Sequence, residues 1–85
     1  MIKDKEIKKV VDVRTKAEYD MGHYPRAKNV SILEFDRKFF EKMNKKDGIL
    51  VYCNTGQRAR RGAELLRSYG FENVYYIAGT YKSLM

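Results

Sequence analysis

The chain has one thiol, Cys53, set in the run Val51-Tyr52-Cys53-Asn54-Thr55-Gly56-Gln57-Arg58. Ile49 to Tyr52 before it have the composition of a buried strand, and Arg58 to Tyr69 after it have helical periodicity. A loop that passes from a strand into a helix N-terminus aims several backbone N–H groups at one point, and the helix dipole adds to the positive potential there. Sulfur held in such a cradle is favoured as thiolate, the nucleophilic form. Gly56 lets the turn adopt positive φ. Arg58 adds a fixed positive charge, with Arg60 and Arg61 close behind. The pattern suits a loop that holds an anion and activates a nucleophile. An inert core cysteine would also follow an apolar strand. The strand-to-helix position, the glycine three residues on and the arginine five residues on weigh against that reading. A lone cysteine forms no internal disulfide and supplies no C-x-x-C zinc set.

The elements that must position this loop can be read along the chain. Val10 to Val13 form a β-branched run, a strand. Thr15 then reads as an N-cap, with Glu18 three residues on completing a capping box, and the short helix should stop at Gly22. A loop containing Pro25, the single proline, leads to a second short strand at Asn29 to Ile32. Phe35, Phe39, Phe40 and Met43 have helical spacing, and Lys45 to Gly48 should end that helix. After the third strand, Ala59, Ala63 and Leu66 share one helical stripe, widened by Leu65. Gly62 inside this helix points to close packing on a sheet, and Gly70 is a natural residue after its C-terminus. Val74 to Ile77 read as a fourth strand in which Tyr75 and Tyr76 alternate, one toward the core and one toward the surface. Residues 78–85 leave room for one helical turn. Alternating strands and helices predict an α/β fold, a small parallel sheet of four to five strands with helices on both faces. Sites in such sheets form beyond the carboxyl ends of the strands, where Cys53 stands.

Length and composition set the bounds. Eighty-five residues fit a single domain, 1–85, and a hydrophobic fraction of 44% suits a globular chain rather than a disordered one. The net charge of +7 is read as a solvated, charged surface; nucleic acid is not expected as a main partner. The N-terminal run "MIKDKEIKKVVDVR" has no apolar signal region, and no stretch approaches the length of a membrane span. A soluble, cytoplasmic, monomeric protein without membrane contact is the expectation.

Three ordered segments carry a family resemblance: Asp12-Val13-Arg14 with Glu18-Tyr19 and "GHYPRAKNV" from Gly22 to Val30; "CNTGQR" from Cys53 to Arg58; and "GFENVYYIAGT" from Gly70 to Thr80. Together they resemble the rhodanese-like domain, the single-domain sulfurtransferase family, whose active loop often reads C-x-x-G-x-R. Two features depart from the pattern. The N-terminus before Val10 is shortened, and Thr80 replaces the second glycine of the C-terminal pair.

The resemblance implies that the Cys53 thiolate takes the sulfane sulfur of a small anionic donor such as thiosulfate. The resulting Cys53 persulfide would pass it to cyanide, a thiol or a protein sulfur carrier, with no metal or organic cofactor. It further implies that the amides of Asn54, Thr55, Gly56, Gln57 and Arg58 hold the persulfide, that Arg58 binds the donor, and that Thr55 and Gln57 line the rim. Asp12, Arg14 and Glu18 are expected to support the loop structurally, Asp12 by accepting anchoring hydrogen bonds and Arg14 by pairing with Glu18. His23 is expected to be a turn residue rather than a base. Two alternatives stand beside this reading. One is a non-enzymatic persulfide carrier for a protein partner. The other is a cysteine-dependent phosphatase or arsenate reductase, disfavoured because four residues, not five, separate Cys53 from Arg58.

Overall fold

A computed structural model describes residues 7–54 and 56–77. Four parallel strands form one sheet in the order β2-β1-β3-β4: β1 (Ile7–Asp12), β2 (Ala27–Asn29), β3 (Gly48–Tyr52) and β4 (Val74–Tyr76). The central pair is β1 and β3, in register Val11↔Val51 and Asp12↔Tyr52. Every residue of β3 is buried, as a strand covered on both faces requires. Its side chains alternate between two apolar clusters. Ile49, Val51 and Cys53 join one, under helix α2 (Gln57–Ser68), with Ala59, Ala63, Leu66, Phe40 and Phe71. Leu50 and Tyr52 join the other with Val10 and Ala27, covered by Tyr19 of helix α1 (Lys16–Met21) and by Tyr24.

Gly62 shows why α2 can lie so close to the sheet. A Cβ built there would stand 3.2 Å from Val13 Cγ1 and 3.3 Å from Val51 Cγ1. Both valines are fully buried and cannot easily give way. Gly62→Ala is therefore expected to destabilise the fold by about 1–3 kcal/mol of overpacking, less the ~1 kcal/mol gained in helix propensity. A urea midpoint above the parent's would contradict this.

Four expectations need correction. The second strand lies at Ala27–Asn29 rather than at Asn29 to Ile32. Asn29 turns its side-chain amide to the carbonyls of Asp12 (3.1 Å) and Arg14 (2.9 Å), and beyond it Val30 N and Ile32 N still donate to the carbonyls of Asp12 (2.9 Å) and Val13 (3.0 Å). The segment from Phe35 to Met43 forms no α-helix; its helical part is a 3-10 turn, Arg37–Phe40. Asp36 accepts a hydrogen bond from Lys38 N and Asn44 one from Lys46 N, so local side-chain bonds compete with helix propagation. Packing selects Phe40, which is buried, and leaves Phe39 half-exposed. Tyr75 and Tyr76 are both exposed because β4 is the last strand of the described sheet and only Val74 reaches the core. The fourth correction concerns Arg14 and Glu18 and belongs to the site. The expected C-terminal turn lies outside the described residues.

Candidate active site

Cys53 follows β3 directly and is fully buried. Two backbone amides point at its sulfur: Gly56 N at 3.0 Å and Ala59 N at 3.3 Å. Both belong to the start of α2, where Gly56 is the N-cap residue at φ 93° and no side-chain oxygen caps the helix. The first amides of a helix have no partner within it and normally take one from a Ser, Thr, Asp or Asn oxygen. Here the Cys53 sulfur fills that place. Of the amides expected from Asn54 to Arg58, Gly56 N points at the sulfur; the second amide, Ala59 N, lies one residue beyond that range, and the pair also caps the helix. Among the loop residues expected to bind substrate, Gly56 is buried while Asn54 and Gln57 are exposed. Thr55 lies outside the described residues.

Arg58 does not stand free to meet an anion. Its Nη1 and Nη2 donate to Glu18 Oε1 (2.8 Å) and Oε2 (3.1 Å), a bidentate pair. Asn54 Nδ2 donates to the same Oε2 at 3.0 Å. On Oε1, the Glu18 carboxylate also receives Thr15 N (3.0 Å) and Thr15 Oγ1 (3.1 Å), while Thr15 Oγ1 accepts from Glu18 N. The capping box of α1 is thus formed as expected, and the same glutamate ties α1 to the cysteine loop. Sequence reasoning missed this second bond because residues 18 and 58 are far apart in the chain.

Arg14 pairs with Asp12, not with Glu18. Its backbone N, Nε and Nη2 all donate to the Asp12 carboxylate at 2.7–3.0 Å. Its Nη2 also donates to the Gly22 carbonyl (2.6 Å), and its Nη1 reaches Asn54 Oδ1 at 3.4 Å. Asp12 thus anchors the loop indirectly, through Arg14 and Asn54. The guanidinium lies over the Tyr52 ring, 5.7 Å from its centroid. Bonding to Asp12 raises the Arg14 pKa, and burial pushes the Tyr52 hydroxyl up. His23 stacks on Tyr19 with ring centroids 3.6 Å apart, and its Nδ1 lies 2.8 Å from the Tyr19 carbonyl oxygen, an arrangement that fixes the turn. Among the described residues, no group of three or more His, Cys, Asp or Glu is placed to hold a metal ion.

Hydrogen bonds from Arg58, then from Thr15, lower the Glu18 pKa to about 2. The sign follows directly. A depressed carboxylate contributes stability that is complete above its ordinary pKa, near ~4.3, and is lost as pH falls toward the folded value. The stability difference between the parent and Glu18→Gln should therefore be constant above about pH 5.5 and shrink as pH falls below ~4. Denaturation at a series of pH values checks this; a difference that grew in acid would contradict it.

The chain belongs to the rhodanese-like domain family, which matches it over residues 1–85. Among curated proteins, it is similar to the tRNA uridine(34) hydroxylase of Buchnera aphidicola, at 35% identity over 75 residues covering 82% of this chain and 24% of that protein. It is also similar to the enzyme of the same name from Pelagibacter ubique, at 32% identity over 81 residues, 93% of this chain and 27% of that one. It therefore spans about a quarter of the length of these relatives. Among solved structures, an Escherichia coli rhodanese with anions aligns at a TM-score of 0.75 and 29% identity, covering 85% of this chain and 86% of that one. The rhodanese-like domain of an Anabaena protein aligns at 0.80 and 26%, covering 94% and 84%. The parallel α/β architecture is thus that of rhodanese-like domains. Among the described residues, no helix is long and apolar enough to cross a membrane.

Proposed function

We propose that the chain is a sulfurtransferase that carries a sulfane sulfur on Cys53. The observation that supports this reading is the pair of helix-start amides, Gly56 N and Ala59 N, directed at Sγ. They hold the sulfur in one orientation and aim backbone dipoles at the charge it carries when it acts as the nucleophile. With thiosulfate as donor, the Cys53 thiolate attacks the outer sulfur. The S–S bond of the donor breaks, sulfite leaves with the electron pair, and a Cys53 persulfide forms. Cyanide or a thiolate then attacks the outer sulfur of the persulfide. Thiocyanate or a new persulfide departs, and the Cys53 thiolate returns. This is a two-step covalent exchange with no net redox change in the protein. Because Cys53 has no exposed surface, a donor gains access only when neighbouring groups move aside.

Intact-protein mass spectrometry after exposure to thiosulfate tests the reading. A gain of one sulfur, discharged by cyanide with release of thiocyanate, is the expected result; an unchanged mass with both thiosulfate and the monoanion methanethiosulfonate would overturn it. A persulfide that forms but resists small acceptors would instead favour a carrier serving a protein partner.

The names of the curated relatives favour a second reading, in which this chain is the cysteine-bearing domain of an enzyme acting on tRNA. In its support, a depression at the β1–β2 side is lined by Lys8, Lys9, Arg26 and Lys28 beside Tyr24, and the chain carries a net charge of +7. Such a surface suits phosphate contacts and one stacked base. Binding of an anticodon stem-loop that weakens steeply with salt, and that Lys9→Glu with Lys28→Glu abolishes, is the expected outcome. No measurable binding at low salt would remove this reading.

A further inference from the structure

The arginine in the loop is the group that would draw an anionic donor, yet both of its outer nitrogens are bound by Glu18. Of the other arginines near the loop, Arg14 bonds to Asp12, while Arg60 and Arg61 share one carboxylate, Glu64, at 3.5 and 3.6 Å on the exposed face of α2. A guanidinium held in a bidentate carboxylate pair presents little net charge to an approaching ion. We propose that Glu18, through its grip on Arg58, sets the charge of the donor that the loop accepts, disfavouring doubly charged donors relative to singly charged or uncharged sulfane-sulfur donors. This rests on the sulfurtransferase reading and specifies its substrate class.

The geometry makes Glu18 suited to this role. Its side chain is 30% exposed and that of Arg58 34%, so the pair sits at the boundary of the site rather than deep in the core. A Gln in its place keeps an oxygen for Thr15 N, and so keeps the start of α1, but loses the negative charge. Its NH2 group would also face Asn54 Nδ2 and Arg58, both donors. The oxygen kept for Thr15 N is Oε1, which also accepts from Arg58 Nη1, so Arg58 keeps one neutral hydrogen bond while its charge is no longer offset.

The test compares two donors that differ by one charge and share their leaving-group chemistry. Thiosulfate is a dianion and releases sulfite. Methanethiosulfonate is a monoanion; attack on its outer sulfur breaks the S–S bond and releases methanesulfinate with the electron pair. The ratio of kcat/KM for thiosulfate over methanethiosulfonate should rise about tenfold in Glu18→Gln at low ionic strength, and the rise should shrink in high salt. Glu18→Asp, which keeps the charge, should restore most of the parental ratio. Thr15→Ala, which weakens the same helix start without touching Arg58, should leave the ratio unchanged. A merely structural role for Glu18 would lower both donors equally and show no salt dependence, and that outcome would overturn the proposal. Persulfide mass shifts recorded for each variant keep the two questions apart. Cys53 persulfide with an unchanged donor ratio refutes the role of Glu18 alone, whereas absence of persulfide with either donor refutes sulfur transfer itself.

Discussion

Cys53→Ser will abolish persulfide formation, with turnover falling by more than about 10³-fold, as when a covalent nucleophile is removed. The stability effects are as informative as the activity. A serine oxygen can still accept from Gly56 N and Ala59 N, which now bond to the sulfur. Cys53→Ala removes the acceptor and leaves those amides buried without a partner, at about 1–3 kcal/mol for each group left unsatisfied. The expected order in urea is parent, then Ser, then Ala. An inert cysteine in the apolar cluster beneath α2 would give the reverse order, because alanine suits such a site better than a hydroxyl. The pair of variants therefore separates an anion cradle from a core residue without recourse to any substrate. Alanine outlasting serine in urea would count against the cradle.

Asp12→Ala should have the largest effect on stability. Asp12 is fully buried, Arg14 is 5% exposed, and the carboxylate accepts from the Arg14 backbone and side chain. Removing it takes away the carboxylate that offsets the guanidinium charge in the interior, and breaking such a pair costs about 3–5 kcal/mol. For a domain of this size, with a total near 4–13 kcal/mol, that is a large share. The double variant Asp12→Val with Arg14→Met should recover much of the loss, because no charge is left buried. Its sulfur-transfer rate should stay low, since Arg14 also bonds to the Gly22 carbonyl and reaches Asn54 in the cysteine loop. A double variant no more stable than Asp12→Ala would show that the pair itself, rather than the uncompensated charge, governs stability.

Much of the site was legible before the fold was known, because its signals are local. The apolar run before Cys53, the glycine at φ 93° and the helix beginning at Gln57 all lie within a few residues of one another. The Thr15–Glu18 capping box is equally local. Short-range patterns also failed where tertiary packing had a say. The aromatic spacing from Phe35 to Met43 matched a helix, but Phe40 packs against Phe35, Phe71 and Tyr69 from a 3-10 turn. The second strand begins earlier than its own residues suggest, at Ala27 opposite Val10, because its bounds are set by pairing with β1, a partner that lies elsewhere in the chain.

The sequence alone determined that a cysteine would sit at the carboxyl end of a strand, at the mouth of a helix, within a parallel α/β sheet, since strand, turn and helix preferences act over a few neighbouring residues. Only the tertiary structure decided which charges neutralise which. Arg14 could face Asp12 or Glu18 by spacing alone; the fold buries it with Asp12 and leaves Glu18 to bind Arg58 across 40 residues of chain. Ion pairing depends on distance in space and on the surrounding dielectric, and neither quantity is written in the order of the residues.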